Sequence, residues 1–208
     1  MFMRPLIAAG CIAVLSLPGH AQQRPDDADL VQALKAGGHV IVVRHGATNS
    51  KQADTDPLHP ANIAKQRQLS DKGVAAAKAL GAAFKTIGMP VGNVLTSQFN
   101  RAYQTAVLAG LPKPQKTMDL SEGGLVVSPD ENTRRAAALR KLAATAPASG
   151  TNTVIVTHKP NVIDAFGKDW FEVKEGEASI FKPDGAGQRL IARLQMDEWS
   201  KLAASAKK

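Results

Sequence analysis

The chain has 208 residues, of which 44% are hydrophobic and 21% are charged, a composition that excludes disordered, collagen-like and coiled-coil proteins. This length fits one domain with a substantial core, and a single cysteine, Cys11, excludes an intramolecular disulfide. The formal net charge of +8 favours anionic partners without choosing among them.

Residues 1–21 have the pattern of a secretory signal peptide. Arg4 precedes an apolar stretch from Leu6 to Leu17, and a small residue, Ala21, follows. The apolar stretch is too short to cross about 30 Å of hydrocarbon, which argues against a membrane anchor. We expect cleavage after Ala21, a periplasmic or secreted bacterial protein, and no stable membrane insertion after cleavage.

Residues 22–208 are expected to form a single domain, because no internal repeat and no Ser/Gly/Pro-rich linker divides them. They contain 25 Lys and Arg residues against 18 Asp and Glu residues, a net charge of +7, and no cysteine. Aromatic residues are few, and no basic run or aromatic-basic strand motif is present, so nucleic acid is not an expected partner.

The hydrophobic pattern alternates between strands and helices. Short apolar runs predict three strands buried on both faces of a parallel sheet: His39–Val43, Asn93–Ser97 and Thr153–Thr157. Capping residues and apolar periodicity predict four helices: Asp71–Lys85, Arg101–Ala109, Asn132–Ala146 and Asn161–Phe166. Two later strands, Ala178–Lys182 and Leu190–Gln195, flank a Gly-rich turn and predict a hairpin at the sheet edge. The tail from Lys201 is expected to fray.

This order of elements predicts an α/β fold with three layers, in which helices cover both faces of a mostly parallel central sheet. Polar side chains follow the three apolar strands. Arg44 and His45 end the first, Arg101 follows the second, and His158 follows the third. Because ligands of such sheets bind at the carboxyl ends of the strands, these side chains are expected to converge.

Two arginines and two histidines offer no acceptor except a neutral imidazole nitrogen, so their convergence predicts an anionic ligand. Arginine guanidinium groups match phosphate bidentately and keep their charge at every accessible pH. A helix that begins after each strand adds backbone N–H donors and a partial positive charge. Phosphate is the ligand that this pattern favours.

Four sequence blocks resemble the histidine phosphatase superfamily, which includes the phosphoglycerate mutase-like enzymes. In family order they are Val42–Thr48 (VVRHGAT), Leu69–Gly73 (LSDKG), Leu95–Ala106 (LTSQFNRAYQTA) and Val154–His158 (VIVTH). The acid phosphatase and phytase branch is not indicated. That branch follows the first motif with a second arginine and a proline, whereas Thr48, Asn49 and Ser50 stand here.

The resemblance implies a phosphoglycerate mutase-like fold and a phosphate pocket of Arg44, Arg101 and His158, with His45 as the nucleophile that becomes phosphohistidine. The attacking imidazole must be unprotonated, and neighbouring arginines disfavour its cationic form. The same arginines stabilise charge on the phosphoryl oxygens, and His158 donates to one of them. No metal and no cofactor is expected, because these positioned cations replace a magnesium ion.

The resemblance also implies a glutamate as the general acid that protonates the leaving oxygen, and Glu122 is the residue we choose. Asp130 and Glu131 are the alternatives. Both precede a predicted helix, where carboxylates cap the helix and complement its dipole.

A long polar segment from Ala47 to Gln68 is expected to bind a ligand, since such loops are uncommon in compact domains. It is predicted to cover the phosphate pocket, with Lys51, His59 or Arg67 contacting the substrate. Asp54, Asp56 and His59 are the potential metal ligands of this segment. Their spacing matches no metal motif, and Asp-Thr-Asp-Pro is typical of a turn.

The sequence therefore predicts an exported phosphomonoesterase that acts in two steps on a small phosphorylated substrate, for example an envelope sugar phosphate. A mutase is less expected, because a chain of about 187 residues after cleavage has no large insertion. The alternatives are a non-catalytic phosphate- or phosphosugar-binding protein on the same scaffold and a basic surface-adhesion protein with a vestigial pocket. The sequence does not predict the oligomeric state.

Overall fold

The computed structural model describes residues 24–123 and 127–206, and the predicted signal peptide with Cys11 lies outside them. The helices in the described residues are α1 (Asp27–Ala36), α2 (Asp71–Ile87), α3 (Asn100–Leu108), α4 (Pro129–Ala143), α5 (Lys159–Phe166) and α6 (Glu198–Ser205). The strands are β1 (Val40–Arg44), β2 (Val91–Ser97), β3 (Gln115–Thr117), β4 (Asn152–Thr157), β5 (Ala178–Pro183) and β6 (Gln188–Leu194).

The six strands form one mixed sheet in the order β3-β2-β4-β1-β5-β6. The four strands from β3 to β1 are parallel, whereas β5 runs antiparallel to both β1 and β6. The predicted α/β class and mostly parallel sheet are therefore confirmed, and β5 and β6 form the predicted hairpin at the sheet edge.

Helices pack on both faces of this sheet, and the alternation of side chains along β1 shows how. Ile41 and Val43 point into a core formed with α1, α2, α3 and α6. Val40 and Val42 point into a second core formed with α4 and α5. Because both faces of β1 are covered, the strand contains consecutive apolar residues instead of alternating apolar and polar ones.

Helix α2 begins against the loop that follows β1. The Ser70 hydroxyl caps the helix by accepting a hydrogen bond from the backbone N–H of Gly73 at 3.3 Å, as its sequence predicts. A Cβ at Gly73 would overlap the backbone carbonyl of Ala47. A glycine at this position therefore lets α2 approach the segment that carries the first sequence motif.

The predicted boundaries of α4 were wrong by three residues at each end. The helix begins at Pro129 after Ser128, whose hydroxyl accepts from the backbone N–H of Glu131 at 3.2 Å. Proline at the first helical position has no N–H to leave unpaired. The helix ends at Ala143, before the restriction that Pro147 imposes on its preceding residue.

Two helices were not predicted. Helix α6 occupies the tail that was expected to fray, and it buries Trp199, Leu202 and Ala203, which share one helical face. Trp199 packs edge-on against Phe84 of α2 with ring centroids 4.8 Å apart, so tertiary packing stabilises this short helix. Helix α1 was missed although Asp26 caps it. No helix among the described residues is long and apolar enough to cross a membrane.

Candidate active site

The carboxyl ends of the parallel strands bring four predicted site residues together. Arg44 ends β1 beside Thr157 of β4, which places His45 next to His158 with ring centroids 5.1 Å apart. Arg101 lies in the first turn of α3, directly after β2. The side chains of Arg101 and His158 are fully buried.

The hydrogen bond of His45 fixes which ring nitrogen can react. Its Nδ1 lies 2.8 Å from the carbonyl oxygen of Gly46, and a carbonyl can only accept, so Nδ1 carries the proton in the neutral ring. The lone pair is therefore on Nε2. Burial, the proximity of His158 and the positive charge of Arg101 hold the pKa of His45 well below its ordinary value, which keeps the ring neutral.

Helix α3 holds both Arg101 and the loop that follows His45. Thr105 lies one turn after Arg101 and donates from its hydroxyl to the Arg101 carbonyl oxygen at 2.7 Å. The same hydroxyl accepts from the backbone N–H of Gly46 at 3.0 Å. The spacing of Arg101 and Thr105 therefore places the guanidinium group and the loop after His45 on one face of α3.

His158 lies between Ser97 and Glu122. Its Nε2 lies 2.7 Å from Ser97 Oγ, and burial lowers the pKa of His158 to about 4. A serine hydroxyl can donate or accept, so this contact is compatible with either tautomer, whereas the Glu122 carboxylate can only accept and favours a proton on Nδ1. Nδ1 lies 3.2 Å from Glu122 Oε2 without the alignment of a hydrogen bond.

Glu122 enters this group from the segment after β3. Its Oε2 accepts a hydrogen bond from Arg101 Nη2 at 2.8 Å. Burial favours the neutral carboxyl, but the contacts with His158 and Arg101 outweigh burial and hold the pKa of Glu122 far below its ordinary value. The carboxylate therefore sits between two groups that are suited to bind a phosphoryl oxygen.

The residue before Glu122 is fixed by several elements. The Ser121 carbonyl oxygen accepts hydrogen bonds from Arg135 Nη1 of α4 at 2.9 Å and from Asn161 Nδ2 of α5 at 3.1 Å. Its hydroxyl accepts from the backbone N–H of Gln98 at 3.0 Å. These contacts tie the Glu122 segment to both the helical layer and β2.

The other candidate acids lie elsewhere. Asp130 and Glu131 occupy the first turn of α4, where a carboxylate complements the helix dipole. Glu131 forms ion pairs of 2.7 Å with Arg134 and with Arg135, and the hydrogen bonds of these two arginines lower its pKa to about 2. The structure therefore brings Glu122, and neither alternative, to His158 and Arg101.

Arg44 is held by the segment before β5. Its Nη1 donates to the carbonyl oxygen of Val173 at 2.7 Å, and its Nη2 lies 3.9 Å from Glu175 Oε1. The same carboxylate oxygen accepts from the hydroxyl of Thr48 at 3.1 Å. Glu175 was not identified from the sequence, because it stands alone in a polar stretch with no motif around it.

The segment 47–68 reaches the site through Asp54, one of its potential metal ligands. Asp54 Oδ1 accepts from Arg101 Nη1 at 3.0 Å and from the backbone N–H of Arg67 at 2.9 Å. Asp56 instead contacts His59 at 2.6 Å, and the His59 side chain is 73% exposed. The described residues contain no group of three or more potential metal ligands.

An open cleft of about 390 Å³ leads from solvent to His45. Its lining consists of Arg44, His45, Arg67, Glu122, Lys159, Pro160, Ile163 and Asp164. Of the three predicted substrate contacts, Arg67 lies in this cleft, whereas Lys51 and His59 do not. Lys159 was not singled out, although its position directly after His158 was a usable signal.

Comparison with known families agrees with this geometry. Residues 40–125 match the histidine phosphatase superfamily (branch 1), a range that contains Arg44, His45, Arg101 and Glu122. A search of curated proteins found no significant match to the chain.

Solved structures show the same fold at low sequence identity. The protein histidine phosphatase SixA complexed with tungstate is 18% identical, with a TM-score of 0.53 over 77% of this chain and 98% of that one. Rv3214 from Mycobacterium tuberculosis is 17% identical, with a TM-score of 0.54 over 74% and 96%. Mycobacterial glucosyl-3-phosphoglycerate phosphatase Rv2419c complexed with VO3 is 18% identical, with a TM-score of 0.51 over 74% and 97%. The chain therefore has the histidine phosphatase fold.

Proposed function

We propose that the chain, of which residues 40–125 match branch 1 of the histidine phosphatase superfamily, hydrolyses phosphomonoesters through a phosphohistidine on His45. The observation that carries this proposal is the Nδ1 contact of His45 with Gly46, at 2.8 Å. It leaves an unprotonated Nε2 beside two arginines at the base of an open cleft. A neutral imidazole held among cations is suited to attack an anionic phosphorus centre.

The phosphoryl group of the substrate takes the place of the Glu122 carboxylate. In the free enzyme the Glu122 carboxylate occupies Arg101 Nη2 and lies against His158 Nδ1. A phosphoryl group that enters takes these two donors and displaces the carboxylate. Its negative charge then raises the pKa of Glu122 from the low value of the free enzyme, so that Glu122 takes up a proton from solvent or from a substrate monoanion.

The first step transfers the phosphoryl group. His45 Nε2 forms a bond to phosphorus while the ester P–O bond breaks, and the Glu122 carboxyl gives its proton to the leaving oxygen. Arg44, Arg101 and His158 stabilise the charge on the non-bridging oxygens. The products are phosphohistidine, an alcohol and an ionised Glu122.

The second step restores the enzyme. Water attacks phosphorus, its proton passes to the Glu122 carboxylate, and the N–P bond breaks to release phosphate and neutral His45. As phosphate leaves, Glu122 gives up this proton to solvent and its carboxylate pairs with Arg101 again. Every charge that the reaction develops on phosphoryl oxygen faces a guanidinium group or an N–H donor of this chain. We therefore expect hydrolysis to proceed without an added metal ion.

The setting of the reaction is a separate proposal. The basic start, short apolar run and small residue at Ala21 support export and cleavage, with a small phosphorylated substrate in the periplasm or cell envelope. An envelope sugar phosphate fits the small, open cleft. Mass spectrometry of the protein recovered from the periplasmic fraction tests export, since the mature chain would begin at Gln22.

Hydrolysis of 4-nitrophenyl phosphate tests the proposed activity. We expect phosphate release in the presence of a chelator, and a phosphoryl adduct on the His45 peptide that acid removes. His45→Asn should abolish both, a loss of roughly 10⁴-fold or more in turnover. His59→Asn is the matched control, because its exposed ring lies outside the cleft.

The alternative of a non-catalytic binding protein makes the opposite prediction. A folded protein that binds inorganic phosphate, yet releases none from aryl or sugar phosphates and forms no adduct, would establish the binding function and exclude the hydrolase.

A further inference from the structure

Two cations in the cleft have no role in the proposed reaction. Arg67 and Lys159 line the cleft together with Arg44 and His45. Among the residues that the structure describes, neither side chain has a hydrogen-bond or ion-pair partner, and the buried Nε of Arg67 is unpaired. An unpaired buried donor is costly, so its presence in a cleft indicates a ligand that would pair with it.

The two residues that flank Arg67 in the chain determine where its side chain points. Gln66 Oε1 accepts from the backbone N–H of Asn100 at 2.7 Å, and Gln68 Oε1 accepts from Asn100 Nδ2 at 2.8 Å. Side chains alternate in an extended backbone, and Gln66 has extended dihedral angles. With both glutamines bound to the start of α3, the intervening Arg67 is directed away from α3 and into the cleft.

Asp54 adds a second restraint. Its Oδ1 accepts from both the Arg67 backbone N–H and the Arg101 guanidinium group. The backbone of Arg67 is thereby fixed relative to the arginine of the phosphoryl pocket. Such an arrangement favours a ligand whose two anionic groups lie a fixed distance apart.

The charges of the cleft lining leave room for a second anion. Arg44, Arg67 and Lys159 face two carboxylates, Glu122 and Asp164. Glu122 becomes neutral when it takes up the catalytic proton, and Arg44 serves the transferred phosphoryl group. The two positive charges of Arg67 and Lys159 are then balanced only by the single negative charge of Asp164, so a net positive charge remains.

We propose that Arg67 and Lys159 form a subsite for a second anionic group of the substrate, a phosphate or carboxylate, next to the phosphoryl group that is transferred. This inference rests on the proposed function and narrows it to phosphomonoesters that carry another negative charge. If Arg67 instead bound the transferred phosphoryl group, its loss would slow every phosphomonoester to the same extent.

A matched pair of substrates separates these two roles. The pair is 3-carboxyphenyl phosphate and its neutral analogue 3-carbamoylphenyl phosphate, compared by the ratio of their kcat/KM values. The ratio is that of the carboxylate ester to the neutral ester. A charge-assisted contact should make it roughly tenfold higher in the wild type than in Arg67→Met. Lys159→Met should lower the ratio in the same direction. Arg189→Met, which removes an exposed arginine of β6, should leave it unchanged.

The outcomes also separate this inference from the proposed function. An equal ratio in wild type and Arg67→Met, with hydrolysis intact, overturns the subsite and leaves the hydrolase standing. If the wild type hydrolyses neither ester, the hydrolase fails, and calorimetry with inorganic diphosphate and inorganic phosphate decides the subsite. Tighter binding of diphosphate that is lost in Arg67→Met supports it, and equal affinities in both proteins overturn it.

Discussion

The floor and the rim of the cleft are built in opposite ways. The floor consists of His45, which lines the cleft, and of the fully buried Arg101 and His158 next to it. Each of the three has defined protein partners. On the rim, Arg67, Lys159 and Asp164 border the same cleft, and the two cations have no side-chain partner among the described residues. Partners that fix a group suit a reaction that is the same for every substrate, whereas unpaired charges suit recognition of a particular one.

The sharpest test of the floor removes the proposed acid. Glu122→Gln keeps the size of the side chain but cannot donate the proton, so kcat for an alkyl phosphate should fall about 10²- to 10⁴-fold. With 4-nitrophenyl phosphate the loss should be smaller, because nitrophenolate leaves without protonation. Steady-state kinetics on both substrates measures this difference.

Asp130→Asn is the control for that experiment, since Asp130 was an alternative acid and lies in the first turn of α4. Equal losses with alkyl and nitrophenyl phosphates in Glu122→Gln would remove Glu122 from the role of acid. The floor would then bind the phosphoryl group without supplying the proton.

The pH dependence of stability tests the burial of the floor. The pKa of His45 in the folded protein lies well below its ordinary value of 6.5, so the unfolded chain binds more protons as the pH falls below about 6.5. His45 therefore makes stability decline with falling pH, with a slope that rises toward a limit of about 1.4 kcal/mol per pH unit. Denaturant unfolding between pH 6.5 and pH 5 should show this slope reduced in His45→Asn.

His59→Asn serves as the comparison, because that ring is exposed. A wild-type slope that His45→Asn leaves unchanged would mean that His45 is not held neutral by the fold, and the distinction between floor and rim would lose its electrostatic basis.

The smallest expected effect concerns orientation on the floor. Ser97→Ala removes the hydroxyl that lies 2.7 Å from His158 Nε2, and we expect kcat to fall about tenfold. Nitrogen-15 NMR of the imidazole should show a mixture of tautomers in place of the single Nδ1–H form. Ser97→Thr keeps the hydroxyl and should recover the wild-type spectrum, whereas an unchanged spectrum in Ser97→Ala would exclude the positioning role.

Much of the fold followed from local pattern. The consecutive apolar residues of β1 and β4 predicted a parallel sheet because both faces of such strands are covered. The fraying tail was a wrong prediction because it was based on the Lys content of the tail, while burial depends on the spacing of Trp199, Leu202 and Ala203. Helix α4 was shifted because Pro129 was not read as a first helical residue.

The functional side chains that directly follow a strand could be predicted, whereas those contributed by distant loops could not. His45 and His158 lie directly after strands, so the position of each follows from sheet geometry. The contact of Asp54 was not predicted, because its partner, Arg101, lies 47 positions away and no local pattern links the two residues. Glu175 reaches Thr48 across 127 positions, and no local pattern encodes that contact.

The contact between Gly73 and Ala47 explains a motif that has no chemistry of its own. Gly73 presents no polar side chain, and its only requirement is that nothing larger than hydrogen stands where α2 meets the Ala47 carbonyl. The second sequence block thus packs against the first and restricts the conformation of the backbone after His45, although it lies outside the pocket. The geometry of this site therefore depends partly on the absence of a side chain at Gly73.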